Sequence, residues 1–300
     1  MQGRRIPVAA RVTPPITRRH GRTKRLLTGL VTYVLLTGLA LVAIVPFLWM
    51  VATSLKTVQE AGTYPPTLLP AIPQWQDYPN VFNAVPLLTF LRNTLFYSAM
   101  VTLGQLLFCS TAAFAFARLR FPGRDFLFLV YLATLMIPAA VTLIPSFILM
   151  KWFHWLDTVW AMTIPGMFGS AFGTFLLRQF MLTIPHDLDE AATIDGAGLW
   201  RVYWQVILPL TGSALTVLAV LTIMTVWNDF AWPLVMLSST SVMTLTLGLA
   251  VFATGGTQEF TNIPLDMAAA TVTVAPLILI FFVAQRYFVR GIALTGFGGR

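Results

Sequence analysis

Charge is what this sequence has least of. Asp, Glu, Lys and Arg make up 10% of its 300 residues, with 11 acids against 19 Lys and Arg. A soluble domain ordinarily carries about a quarter charged residues, so a water-facing globule is excluded. Cys109 is the only cysteine, which rules out a disulfide within the chain and a zinc site of paired cysteines. The three histidines, His20, His154 and His186, are scattered and make no His-Glu-x-x-His pattern. Neither a Gly-x-Ser-x-Gly elbow nor a Gly-x-x-x-x-Gly-Lys-Ser/Thr phosphate loop is present. The sequence therefore offers no catalytic residues and no metal ligands, and the chain is not by itself a P-loop ATPase.

What fills it instead is apolar, with 57% hydrophobic residues and a mean hydropathy of +0.77. Six charge-free intervals stand out, at 26–55, 93–117, 126–150, 158–177, 202–228 and 267–285. At 1.5 Å rise per residue, each is long enough to cross a hydrocarbon core of about 30 Å. Lipid cannot satisfy backbone polar groups, so a span is a helix or part of a closed barrel. These intervals are apolar throughout rather than alternating, which selects helices. A seventh interval, 230–258, contains Pro233, Ser238-Ser239-Thr240-Ser241 and Gly255-Gly256-Thr257, and reads as an excursion on one face. The expected fold class is an all-α integral membrane protein with six transmembrane helices. Pro138, Pro145, Pro165 and Pro276 are positions where those helices can kink.

Lysine and arginine mark the cytoplasmic face. With six spans and the N-terminus inside, eight of these residues lie in the 1–25 tail, three at Arg118–Arg124, two at Arg178 and Arg201, and three from Arg286 onward. Only Lys56, Arg92 and Lys151 then fall outside. Both termini are expected in the cytoplasm: a basic tail at 1–25, a membrane domain at 26–290 and a short tail at 291–300. The eight basic residues of the first tail would suit nucleic acid, but no aromatic interleaving or nucleic-acid fold follows. They read as an orientation signal that also touches the lipid bilayer. The outside segment 56–90, with Tyr64-Pro65-Pro66, Trp75 and Tyr78-Pro79, is either a rigid loop at headgroup level or a dock for an external partner.

Against this background one stretch is acidic. Asp187, Asp189, Glu190 and Asp195 fall within nine residues, flanked by apolar runs. The stretch reads as two short helices joined at Gly196, which can turn the chain with φ > 0. Asp187 and Glu190 have capping-box spacing and place negative charge at a helix start. Leu188, Ala191, Ala192 and Ile194 supply a small apolar surface. Trp200, Tyr203, Trp204 and Ile207 recur at roughly helical spacing before Leu208-Pro209 ends or kinks that helix.

The spacing Glu190-Ala191-Ala192, three residues, Gly196, nine residues, Val206, one residue, Leu208-Pro209 resembles the EAA loop of ABC-type importer permeases, with Val206 where the family usually has Ile. Ala112 through Arg124 is similar to the Ala-Tyr-Ala-Phe-Ala-Arg-Leu, Phe-x-Gly-Arg segment of sugar-uptake permeases of the maltose-importer type, with Phe114 for the usual Tyr. Asn93, Ile137-Pro138, Ile144-Pro145, Trp227-Asn228-Asp229-Phe230 and Gln285 to Gly291 extend the likeness over residues 30–291. Gly296-Phe297-Gly298-Gly299-Arg300 departs from the family's usual Gly-x-Val-Lys-Gly-like tail, which puts a tail contact with an ATPase in doubt.

The resemblance implies a cell-membrane permease subunit for a sugar or oligosaccharide. The loop at 185–209, between helices 4 and 5, would be a cytoplasmic coupling helix carrying Asp187, Leu188, Glu190, Ala191, Ala192, Asp195, Gly196, Leu208 and Pro209. It implies as partners a second homologous permease, two ATPase subunits that bind ATP and Mg, and an extracytoplasmic solute-binding protein. This chain itself would hold no cofactor. Asn228, Asp229 and Gln105 are candidates for the translocation path, with an interfacial cap or helix packing as the competing role of each. A permease for a non-sugar solute is the alternative. An ion-coupled secondary transporter would need mid-membrane ionisable residues and inverted repeats. A membrane-embedded enzyme would need a catalytic cluster. None of these features is visible.

Overall fold

Long uncharged stretches leave the backbone only its own helical hydrogen bonds, and the chain folds accordingly. The computed structural model describes residues 20–255 and 262–295, with side chains at 29–253 and 262–282. Among the described residues all regular structure is helical. Most of the basic tail (1–19), a stretch at 256–261 that takes in the end of the expected excursion, and the C-terminal 296–300 lie outside them.

Met1–Trp49 and Met50–Arg300 form separate units. The first holds most of helix α1 (His20–Ser54), whose Gly29–Ser54 stretch is long and apolar enough to cross a membrane. From 30 to 49 its side chains are mostly apolar and exposed on every side, as at Leu35 (68%) and Val42 (70%), which suits a lipid surround.

In the second unit, two short helices (Val58–Ala61 and Asp77–Ala84) precede α2 (Leu87–Arg118), the helix the others pack around. A bent pair follows: α3 (Arg124–Ala133, prolonged by a 3-10 turn to Met136) and α4 (Ala139–Trp152) meet at 96°. Ile137, preceding Pro138, is extended as the proline ring demands, and the helix breaks there. Helices α5 (Val159–Met167) and α6 (Ala171–Leu182) form one 24-residue span, Val159–Leu182, interrupted at Gly169 (φ +95°). Next come α7 (Asp187–Ile194) and α8 (Leu199–Leu210). The latter meets α9 (Gly212–Asn228) at 76°. The chain closes with α10 (Ala231–Met236), α11 (Leu245–Gly255) and α12 (Ile263–Thr295). Among the described residues, four helical stretches are long and apolar enough to cross a membrane, and six if each bent pair counts as one span. Neither α10 nor α11 is long enough alone, in keeping with an excursion.

Small and polar residues on α2 explain its central place. Gly104 lies so close to α5 that an added Cβ would sit 2.7 Å from the Met167 carbonyl oxygen. Nearer the start of α2, Asn93 Nδ2 donates to the carbonyls of Ser241 (2.9 Å) and Met243 (3.0 Å), and the Tyr97 hydroxyl donates to Val242 O at 2.8 Å. Thr94 Oγ1 accepts the Leu245 amide at 2.8 Å. These bonds satisfy the backbone of the non-helical 237–244 stretch, which lipid would leave stranded. Asp157, in the turn between α4 and α5, ties the same stretch from the other side. Its Oδ1 accepts the amides of Ser238 and Ser239, both at 2.8 Å, and its Oδ2 takes the Ser239 hydroxyl.

Candidate functional site

The acidic stretch is a helical hairpin. Helix α7 closes in a Schellman arrangement: Ala197 N donates to Ala192 O (2.9 Å) and Gly196 N to Thr193 O (3.0 Å), with Gly196 at φ +81°. The expected capping box does not form. His186 occupies the N-cap in helical conformation, and no side chain caps the helix. Asp187 and Glu190 are exposed, so they contribute charge at the positive end of α7 rather than hydrogen bonds.

The hairpin has a buried side and an open side. Ala192 and Ala197 pack on a core of Cys109, Ala113, Phe114, Leu177, Tyr203 and Ile207, and half-buried Leu208 joins them. Glu190, Ala191, Asp195, Gly196 and Pro209 are exposed. So are the apolar Leu188, Ile194 (86%), Leu199 and Trp200 (67%). The base of α8 widens into a π-helical turn at Val202–Ile207, an irregularity often found at functional sites. That turn drives Tyr203 into the core, 1% exposed, with its hydroxyl 2.7 Å from Ser110 Oγ and 3.3 Å from Thr111 Oγ1 on α2.

Sequence reasoning gave Asp189 no special place among the acids and Arg118 no role beyond its motif. They meet. The Arg118 side chain, 3% exposed at the end of α2, reaches Asp189 Oδ2 from Nη1 at 3.2 Å and donates from the same nitrogen to His186 Nδ1 at 2.8 Å. Its Nη2 donates to the carbonyls of Met181 and Ile184, each at 2.8 Å, at the end of α6. Because guanidinium has only donors, His186 Nδ1 is the acceptor. A buried arginine had no signal in the sequence, where it reads as an orientation charge.

A cavity of about 750 Å³ forms the second candidate site, and Val101, Gln105, Thr142, Thr222, Asp229 and Trp232 are among its lining residues. Thus Gln105 and Asp229 share one space, while Asn228 lies off it: its side chain is exposed and donates to Met224 O at 2.8 Å. Gln105 is engaged at both ends, donating to Gly166 O at 2.7 Å and accepting from Cys109 Sγ at 3.2 Å. It therefore packs helices while presenting part of its amide to the cavity. Asp229 Oδ1 accepts the Trp232 amide at 3.3 Å, the Ala231 amide also bonds the carboxylate, and a carboxylate has lone pairs to accept hydroxyl donors as well. Among the described residues, no three His, Cys, Asp or Glu side chains are placed to share a metal ion.

A family model described as the binding-protein-dependent transport system inner membrane component matches residues 105–294. The chain is 32% identical over 266 residues to the sn-glycerol-3-phosphate transport system permease protein UgpE of Yersinia enterocolitica, covering 86% of this chain and 93% of that one. It is 31% identical over 282 residues to the arabinooligosaccharides transport system permease protein AraQ of Halalkalibacterium halodurans, covering 92% and 100%. Its fold matches a chain in the crystal structure of a bacterial ABC transporter involved in the import of the acidic polysaccharide alginate, with a TM-score of 0.79 and 26% identity over 92% of this chain and all of that one. The apolar helices, the hairpin and these likenesses converge: the chain belongs to the family of inner membrane components of binding-protein-dependent transport systems.

Proposed function

We propose that this chain is a membrane-spanning permease subunit of an ATP-driven ABC importer and forms part of the path of a sugar or oligosaccharide delivered by an extracytoplasmic binding protein. The observation that carries this reading is the hairpin at 185–209, whose acidic and apolar tip stands free on a base anchored in the core. In this reading the bent pairs each count as one crossing, giving six, with both termini in the cytoplasm. The hairpin enters a groove on an ATPase subunit, and Glu190 meets a basic residue there. Ala191 permits close approach. Two such ATPases bind ATP and Mg, and a second homologous permease completes the path.

Cargo class follows from the relatives' names together with the cavity. Those names mention glycerol-3-phosphate, arabinooligosaccharides and alginate, all hydroxyl-rich. Asp229 adds a carboxylate to the cavity lining, which can accept hydrogen bonds from sugar hydroxyls. A saccharide is therefore the cargo class we propose. The test is to place Ala191→Cys in intact cells and crosslink. Capture of an ATPase subunit is expected, as is loss of uptake by Glu190→Lys while the protein remains in the membrane. Labelling of Ala191→Cys only from outside would refute the assignment.

A further inference from the structure

We infer that Arg118 is the positioning residue through which the 185–209 hairpin moves α2, an assignment that rests on the coupling role proposed above. Burying a guanidinium is costly unless it is paired and hydrogen-bonded, and a well-packed apolar residue would often be as stable. This one is paired incompletely: Arg118 Nε and Asp189 Oδ1 are both buried without a partner. What the arrangement provides is connection. The planar fork sends Nη1 to Asp189 on α7 and His186 at its N-cap, and Nη2 to the carbonyls of Met181 in α6 and Ile184 just past it, from a root at the end of α2. A lysine ammonium, a point charge without that fork, cannot face both ways with the same geometry.

A second tie lies on the same helix. Tyr203 of the π-helical turn holds Ser110, two turns below Arg118, about 12 Å along the axis. The hairpin thus grips α2 at two heights, and a displacement of its tip either carries α2 along or breaks these bonds. Gln105, beyond Ser110 on the same helix and about 20 Å from Arg118, lines the cavity. Helix α2 is therefore a rigid rod between the hairpin and the cavity, and Arg118 is its coupling pin.

The experiment uses the complete transporter, with both permeases, the ATPases and the binding protein, in liposomes. It compares solute uptake and ATP hydrolysis for Arg118→Met, Arg118→Lys and Asp189→Asn, with the Ala191→Cys crosslink read in each background. Arg118→Met is expected to cut uptake per ATP hydrolysed about tenfold, an ordinary coupling free energy, while the crosslink forms as before. Arg118→Lys should resemble Arg118→Met rather than the native chain, because the charge stays and the fork is lost. Asp189→Asn should lower the ratio less, since the bonds to Met181 and Ile184 remain. A native ratio in Arg118→Met overturns the inference. If Arg118→Met does not assemble, Asp189→Asn decides: a native ratio overturns the inference and a reduced one supports it. Absence of the crosslink in the otherwise native transporter would sink the docking role instead, which separates the two failures.

Discussion

Putting alanine at two glycines should produce two different kinds of damage. At Gly104 the added Cβ would sit 2.7 Å from both the Cβ and the carbonyl oxygen of Met167. Ordinary carbon contacts lie near 3.5–4.0 Å, so α2 and α5 must part by about 1 Å. Overpacking of that kind costs about 1–3 kcal/mol. The neighbouring bond from Gln105 to Gly166, 2.7 Å long, would stretch with it and forfeit about 1 kcal/mol more. Gly104→Ala should therefore lose about 2–4 kcal/mol, read as a lower unfolding midpoint of the purified protein in detergent. At Gly196 nothing lies within 4 Å of the added Cβ, and the penalty is purely that of φ +81°. Alanine there should cost about 1–2 kcal/mol and asparagine less, because asparagine tolerates the left-handed region. The Gly196 variants should lower the unfolding midpoint less than Gly104→Ala does, and uptake should fall least for Asn, more for Ala and most for Val. A Gly104→Ala protein as stable as the native chain would refute the packing argument. Equal uptake by Gly196→Asn and Gly196→Val would refute the backbone one.

Two further outcomes are expected. Burial tends to raise the pKa of Asp157, but hydrogen bonds from the Ser239 hydroxyl and the Ser239 and Ser238 amides outweigh it and hold the carboxyl below its ordinary value. A depressed folded pKa contributes stability that is present above the unfolded value, about 3.9, and lost as pH falls through the folded one. The 237–241 turn should loosen only in that acid window, and Asp157→Asn should flatten the dependence, as measured by proteolysis of the turn between about pH 2 and 5. Asp229→Asn keeps an oxygen for the Trp232 amide but loses the charge offered to solute. Half-maximal uptake should then require about 5–13-fold more solute, the difference of about 1–1.5 kcal/mol between a charge-assisted hydrogen bond and a neutral one, with assembly intact; unchanged concentration dependence would remove Asp229 from the path.

Composition revealed the helical membrane class because it states, residue by residue, what water excludes. It could not reveal bends. The 126–150 interval is free of charge throughout, and Pro138 marks a place where it can kink, but nothing in the composition sets the 96° through which Ile137-Pro138 folds it. The hairpin was legible through Gly196, whose left-handed turn has few alternatives. Its caps were not: Asp187 and Glu190 sit at the right spacing, but His186 holds a helical conformation and leaves no cap to complete. Asp189 looked like one solvated acid among several. That it turns inward depends on Arg118, 71 positions earlier in the chain, and no local pattern carries such a pairing.

The π-helical turn at Val202–Ile207 holds one residue more than an α-helical turn would need. That surplus acts as slack. Deleting a single residue inside 202–207 should let the segment tighten to ordinary pitch, leaving the hairpin aimed as before while Tyr203 loses its seat. The same deletion within Gly212–Asn228 has nothing to absorb it and would rotate everything beyond by about 100°. The place where this chain best tolerates a change of length therefore lies next to the element whose orientation matters most.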